Sequence, residues 1–255
     1  MKTINQIKTS LKKDGFVYLP EYLKNSKSLN LLISDIRKVL MLRNNNVTRK
    51  IVRGKSINNL IKSLNENNEK NIAFVNDVMN ASPSLHNLFN DPKILSIVKK
   101  LIKSNNSYLC VNNYKFRIQV PGRDEMSNLP WHQDSHYNTM SDKNTSIVAW
   151  VSLSNIAKKQ GPIIFKCGSH KLGKTKKFVK KRKNGNKIFT VSNQIVSSKK
   201  YKEVSYPSKI GDVILIDMNV VHTSGVNKSI DLSKLSAQAR FHQAGNKNFL
   251  NKYNV

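Results

Sequence analysis

The chain has 255 residues, enough for one large domain with a full core or for two small ones. Apolar residues make up 38%, and no run reaches the ~18 to 20 apolar residues of a helical membrane span, so a spanning protein is set aside. The net charge of +29, from 44 basic and 15 acidic residues, raises a polyanionic partner, either nucleic acid or an anionic membrane surface.

In chain order, residues 4–13 predict a helix closed by Asp14-Gly15, followed by a short strand over Phe16-Val17-Tyr18-Leu19-Pro20. Residues 28–43 carry Leu29, Leu32, Ile33, Ile36, Val39 and Leu40 at helical spacing. Residues 56–64, 70–80 and 92–104 also predict helices, the last opened by Asp91-Pro92. Residues 1–105 thus form a mostly helical support.

The pattern then changes. Strands are expected over 108–120, 146–153, 161–165, 187–191, 212–218 and 236–242, several with alternating polarity. Residues 171–186 are expected to be a basic, solvated loop. Many short strands after a helical opening predict a mainly β fold with flanking helices. Its core, over 106–245, is a double-sheet jelly roll, and 1–255 is read as a single domain.

Chemistry gathers at Trp131-His132-Gln133-Asp134 and at the distant His222. On a strand, residues i and i+2 share a face, so His132 and Asp134 can aim at one point with Gln133 turned away. His222 follows an apolar run and can return to the same point. Two imidazoles and one carboxylate suit a divalent metal with open positions, above all non-haem Fe(II). An H-x-D pair alone is weak; the strand context gives it weight.

Several motifs carry a family resemblance: Leu129-Pro130-Trp131-His132-Gln133-Asp134, Ala149-Trp150-Val151-Ser152-Leu153, Gly161-Pro162 and Cys167-Gly168-Ser169-His170-Lys171. Gly211-Asp212-Val213, the run His222 to Ser229 and the opening Asp14 to Pro20 continue it. In this order they resemble the phytanoyl-CoA dioxygenase (PhyH-like) family of Fe(II)/2-oxoglutarate-dependent oxygenases. The resemblance implies a double-stranded β-helix, a jelly-roll (cupin-like) core. It implies that His132, Asp134 and His222 ligate iron, that 2-oxoglutarate and O2 are co-substrates, and that the substrate is a small molecule. The presence of Asp134 points to hydroxylation, because related halogenases lack that carboxylate.

The family places an Arg on the last core strand to hold the far carboxylate of 2-oxoglutarate. Counting back from Arg240-Phe241, that position holds Lys234, with Ser236 as the hydroxyl partner. Lys supplies the charge without the bidentate fork. Arg240, on the same strand face, is the second candidate and Arg117 the third. Trp150 is expected against the co-substrate, and Gln119 near it. Arg117, His136 and Tyr137 are candidates for the substrate pocket.

The charge leaves two readings. Only eight of the 44 basic residues are Arg, the better phosphate reader, and Lys and Asn have AT-rich codons. Compositional drift is therefore preferred, and a nucleic-acid partner is held second. No membrane partner is expected. Cys110 and Cys167 are too few for a disulfide framework and are read as buried reduced thiols. With an opening unlike a secretory signal, the expected location is cytoplasmic. The rival to an enzyme is a jelly-roll binding protein whose turnover has been lost through Lys234. Oligomeric state is not encoded in any motif.

Overall fold

The computed structural model describes residues 2–44, 56–68, 70–102, 109–122, 128–138, 145–182, 185–245 and 251. The first part is helical: α1 (Ile4–Asp14), β1 (Phe16–Leu19), α2 (Lys27–Arg43), α3 (Ile57–Asn67), α4 (Lys70–Asn80), α5 (Pro83–Phe89) and α6 (Pro92–Leu101). Side-chain caps start several of these helices. Ser26, Ser56 and Ser82 each accept a backbone N–H of the first turn, worth about 1 kcal/mol apiece. Pro83 and Pro92 occupy first-turn positions, where a missing N–H costs nothing.

The strands follow: β2 (Leu109–Gln119), β3 (Ser146–Ser152), β4 (Ile163–Lys166), β5 (Phe178–Lys181) and β6 (Lys187–Thr190). After α7 (Asn193–Ser197) come β7 (Glu203–Ser205), β8 (Val213–Asp217), β9 (His222–Ser224) and β10 (Lys234–Gln243). A five-stranded antiparallel sheet runs β1-β8-β3-β10-β2, and a three-stranded one runs β7-β4-β9. Together they make the jelly-roll core, flanked by the helices.

Alternation along the strands explains why the larger sheet is covered on both faces. Val17, Val151, Leu215 and Phe241 join a cluster with Leu32 and Ile36 of α2 and Val75 of α4. The opposite face, with Phe16, Val148, Trp150 and Ile214, packs on Phe165 of the smaller sheet. Strand β10 departs from this. Leu235, Ala237, Ala239 and Phe241 join the helical side. The alternate residues Lys234, Ser236, Gln238 and Arg240 turn polar groups into the space between the sheets, as do Arg117 and Gln119 of β2. A buried polar stripe between apolar sheets is costly unless it holds something.

Four departures from the sequence reading have physical causes. Helix α5 was not expected, because at seven residues it is too short to show a period. Part of the segment read as a basic loop is a hairpin, β5 pairing with β6, and its lysines masked the pattern. Strands β7 and β9 span three residues each, below the length at which alternation is visible. Cys167 is a free thiol, half-buried rather than fully buried. The side chain of Cys110, together with Arg49, Arg53, Tyr108, Arg123 and Lys183, lies outside the described residues.

Candidate metal centre

His132 and His222 are joined through their backbones. Each donates its N–H to the other's carbonyl at 3.0 Å, forming an isolated antiparallel bridge at the edge of the smaller sheet. This pairing carries two residues 90 positions apart to one place, with ring centroids 4.2 Å apart. Each imidazole is then turned by its own chain. His132 Nδ1 lies 2.7 Å from the Pro130 carbonyl and His222 Nδ1 lies 3.1 Å from the Val220 carbonyl. Those contacts fix Nδ1–H as the donor, so both Nε2 atoms are left as lone-pair donors facing inward.

Asp134 arrives differently from the expectation. It does not continue a strand but opens a 3-10 turn, Asp134–His136. Gln133 does turn away: its amide donates to the carbonyls of Asn219 and Gly173 and accepts from the Thr175 N–H. The turn brings Asp134 Oδ2 to 3.7 Å from His222 Nε2. One ligand atom each from His132, Asp134 and His222 lies within 4.8 Å of the others, and all three residues are buried. Among the described residues this is the one group of three or more such side chains.

The electrostatics keep the trio in ligand form. Burial first, then the neighbouring His222, pushes His132 down to about 3, so its ring is neutral. Burial alone would raise the Asp134 carboxyl. Arg240, followed by His222 and His132, outweighs this and holds it well below the usual carboxylate range. Arg240 Nη2 donates to Asp134 Oδ1. Asp134 Oδ2 remains buried without a hydrogen-bond partner. A buried carboxylate oxygen without a donor beside two imidazole lone pairs is a set of acceptors with no proton to share, which a divalent cation satisfies.

A cavity of about 40 Å3 adjoins the trio. It runs from His132 and His222 past Trp150 and Gln119 to Lys234 and Ser236. Lys234 is buried, and its ammonium donates to the carbonyls of Gly161 at 2.5 Å and Gly225 at 2.9 Å. These two glycines touch back to back: a Cβ on Gly161 would run into Gly225, and one on Gly225 would lie 2.5 Å from the Pro162 carbonyl. No other residue permits both approaches. A larger apolar cleft of about 930 Å3, bordered by Leu11, Leu101 and Ile147, shares no residue with the trio.

The remaining sequence candidates separate into two groups. Lys234, Ser236, Trp150, Gln119 and Arg117 line the cavity. Arg240, His136 and Tyr137 do not. Arg240 is engaged with Asp134. The 3-10 turn rotates His136 toward the Thr175 carbonyl, at 3.0 Å. Tyr137 sets its ring edge-on to His132 and accepts the Phe189 N–H at 2.8 Å. Sequence reading missed Pro130 and Val220 as orienting groups, because backbone acceptors leave no mark on side-chain identity. It missed the side-chain amide of Gln133 as well, whose partners Gly173, Thr175 and Asn219 are far off in sequence. It also missed Leu129, Ile156 and Thr223 as cavity walls.

The sequence profile of the phytanoyl-CoA dioxygenase (PhyH) family matches residues 11–234. No curated protein sequence matches the chain. Among solved structures, the fold is similar to that of the epimerase SnoN in complex with Fe3+, alpha-ketoglutarate and nogalamycin RO. The TM-score is 0.64 at 17% identity, covering 94% of this chain and 84% of that one. The alpha-ketoglutarate-dependent carbocyclase SnoK of nogalamycin biosynthesis gives 0.60 at 16% identity, covering 95% and 87%. AviO1 from Streptomyces viridochromogenes gives 0.59 at 14%, covering 96% and 98%. At such identities the likeness speaks for the fold.

Proposed function

Because the chain belongs to the phytanoyl-CoA dioxygenase family, whose cofactors are Fe(II), 2-oxoglutarate and O2, we propose that it hydroxylates a small-molecule metabolite. Membership gives the coarser class, a non-haem iron, 2-oxoglutarate-dependent oxygenase. The observation that carries the rest is the donorless Asp134 Oδ2 facing the Nε2 atoms of His132 and His222. These three atoms would hold the metal on one side and leave the cavity side open.

When bound, Fe(II) with 2-oxoglutarate and O2 supplies the oxidising power that no side chain has. The protein's own part is positional. Pro130 and Val220 aim the imidazoles, and Arg240 fixes the carboxylate. Lys234 lines the cavity with its ammonium on the Gly161 and Gly225 carbonyls, and Ser236, two residues on, lines it too. There they would take the distal carboxylate of 2-oxoglutarate, which needs a cation once buried. Trp150 forms an apolar wall. No side chain is required as a general base, since the substrate loses a hydrogen atom and not a proton.

At about 40 Å3 the cavity has room for a few waters and not for a five-carbon diacid. Binding of 2-oxoglutarate therefore needs the polar side chains on its walls, Arg117, Gln119, Lys234 and Gln238 among them, to make room. The second reading, a metal- and ligand-binding protein without turnover, rests on Lys234, which gives one charge but no bidentate fork for the co-substrate. A free, half-buried Cys167 fits a reducing, cytoplasmic location. One apolar cluster shared by the helices and the larger sheet fits one domain over 1–255. The basic charge keeps a nucleic-acid-associated oxygenase as the remaining alternative. Calorimetric titration of 2-oxoglutarate into the metal-loaded chain without O2 tests the reading: saturable binding that is lost in Asp134→Ala is expected. Heat of dilution alone would overturn it.

A further inference from the structure

Residues 171–187 carry nine basic side chains in 17 positions and no acidic one. The chain as a whole has 44 basic residues in 255, a density that would place about three here. Drift acts everywhere alike and does not produce this concentration. Within the segment Phe178–Lys181 pair with Lys187–Thr190 as a hairpin, and all four residues of β5 are exposed.

The hairpin is also not purely polar. Phe178 is 42% exposed and Val179 56%, one on each face of β5. Lys176 lies over the ring of Phe178, 5.7 Å from its centroid. Single exposed apolar residues are ordinary, but an adjacent pair on a cationic strand is less so.

Its root is tied to the metal loop. Gln133 holds Gly173 and Thr175, His136 lies against the Thr175 carbonyl, and Tyr137 accepts the Phe189 N–H. Thr190 and Val191 both donate to the Trp131 carbonyl, and Arg182 donates to the Asn128 carbonyl. A partner that seats on the hairpin therefore seats beside the metal centre.

We propose that the β5–β6 hairpin docks the protein on an anionic lipid surface, with exposed β5 along the surface, its lysines at the headgroups and Phe178 and Val179, one from either face, entering the interface. Lysines near such a surface each add to the attraction, and apolar side chains add area that enters the acyl boundary. The composition selects lipid over nucleic acid. Val179 offers no face on which a base stacks, and an exposed aliphatic group among lysines gains at an acyl boundary rather than on a phosphate backbone. The charge of the whole chain by itself favours drift over an anionic membrane surface; its clustering here reverses that expectation and the expectation of no membrane partner. It stands independently of the co-substrate assignment.

The test is vesicle co-sedimentation of the full chain with phosphatidylcholine, alone or with phosphatidylserine, at low and high salt. Binding is expected on the anionic vesicles only, and it should weaken steeply with salt. Lys176→Gln, Lys177→Gln, Lys180→Gln and Lys181→Gln combined should reduce it roughly a hundredfold or more. An equal charge loss on exposed helix lysines (Lys62, Lys70, Lys99 and Lys100 to Gln) should reduce it several-fold less. Phe178→Ser with Val179→Ser, which leaves the charge intact, should weaken vesicle binding several-fold while leaving binding to an RNA homopolymer unchanged. Equal losses from the two lysine sets would overturn the proposal, as would unaltered vesicle binding in the Phe178/Val179 variant. RNA binding tighter than vesicle binding would transfer the surface to nucleic acid and overturn it too.

Discussion

Arg240 donates to Asp134 from the last strand of the larger sheet, across 106 positions of sequence, and both residues are buried. The contact occupies Oδ1 and leaves Oδ2 for the two histidines. A buried pair of this kind contributes little net stability, but breaking it leaves an uncompensated charge.

Removing Arg240 should therefore be felt twice. Arg240→Met is expected to lower divalent-metal affinity about 10- to 100-fold, as loss of a group orienting a ligand does. It should also lower the stability of the metal-free chain by about 3 kcal/mol. Arg240→Lys should restore most of the stability and less of the metal affinity, since one ammonium cannot fix the carboxylate plane. Metal titration and urea unfolding of both variants provide the check. Unchanged metal affinity in Arg240→Met would refute the positioning role.

Asp134 and the histidines differ in what their loss does to the metal-free protein. Asp134→Ala leaves Arg240 buried without its carboxylate partner, whereas His222→Ala leaves the Arg240 pair in place. Both should abolish tight metal binding. The metal-free thermal midpoint should fall further for Asp134→Ala. Equal midpoints would show that the pair does not form in solution.

Lys234 holds two backbone carbonyls, so its truncation has a structural cost apart from any co-substrate effect. Lys234→Ala is expected to destabilise the chain by roughly 2 to 4 kcal/mol through the unpaired Gly161 and Gly225 carbonyls. It should weaken 2-oxoglutarate binding at least tenfold, with Ser236→Ala weakening it less. If the 2-oxoglutarate constant is unchanged in a folded Lys234→Ala protein, the anchor lies elsewhere.

His242 gives a pH signature. Its Nε2 lies 2.9 Å from the Asn138 amide nitrogen and 3.2 Å from Asn112 Oδ1, and its Nδ1 contacts Ser146 Oγ at 2.8 Å. Burial, and secondarily Arg240, pushes its pKa down to about 4, against ~6.5 when unfolded. Between those values the unfolded chain binds the proton more readily, so stability rises with pH. The contribution is present above pH 6.5 and is lost as pH falls toward 4, on the order of 2 kcal/mol. Urea midpoints of metal-free protein across this range, compared with His242→Gln, should show a steeper acid loss for the native chain. Parallel curves would contradict it.

Much of this was legible in residue order. The helical spacing of α2, the apolar runs of β3 and β8 and the H-x-D pair all rest on local pattern. The polar alternation of β10 was visible too, since Lys234, Ser236, Gln238 and Arg240 are two apart. What the polar groups do was not visible. The same spacing made Arg240 the second claimant to the co-substrate, after Lys234, and its contact with Asp134 in the 3-10 turn engages it away from the cavity. Opposite Ala239, β2 carries an extra residue, with Asn113 at φ 50°, a bulge that no composition announces. The Ser82-Pro83 start of α5 was readable by capping chemistry and went unused.

The most direct test is succinate formation. The full chain with Fe(II), 2-oxoglutarate and O2, given no added metabolite, should release succinate slowly through uncoupled decay. Omitting any one of the three, or replacing Asp134 with Ala, should stop it. Absence of succinate from protein that demonstrably holds iron and 2-oxoglutarate would contradict the oxygenase account and leave a binding protein in its place.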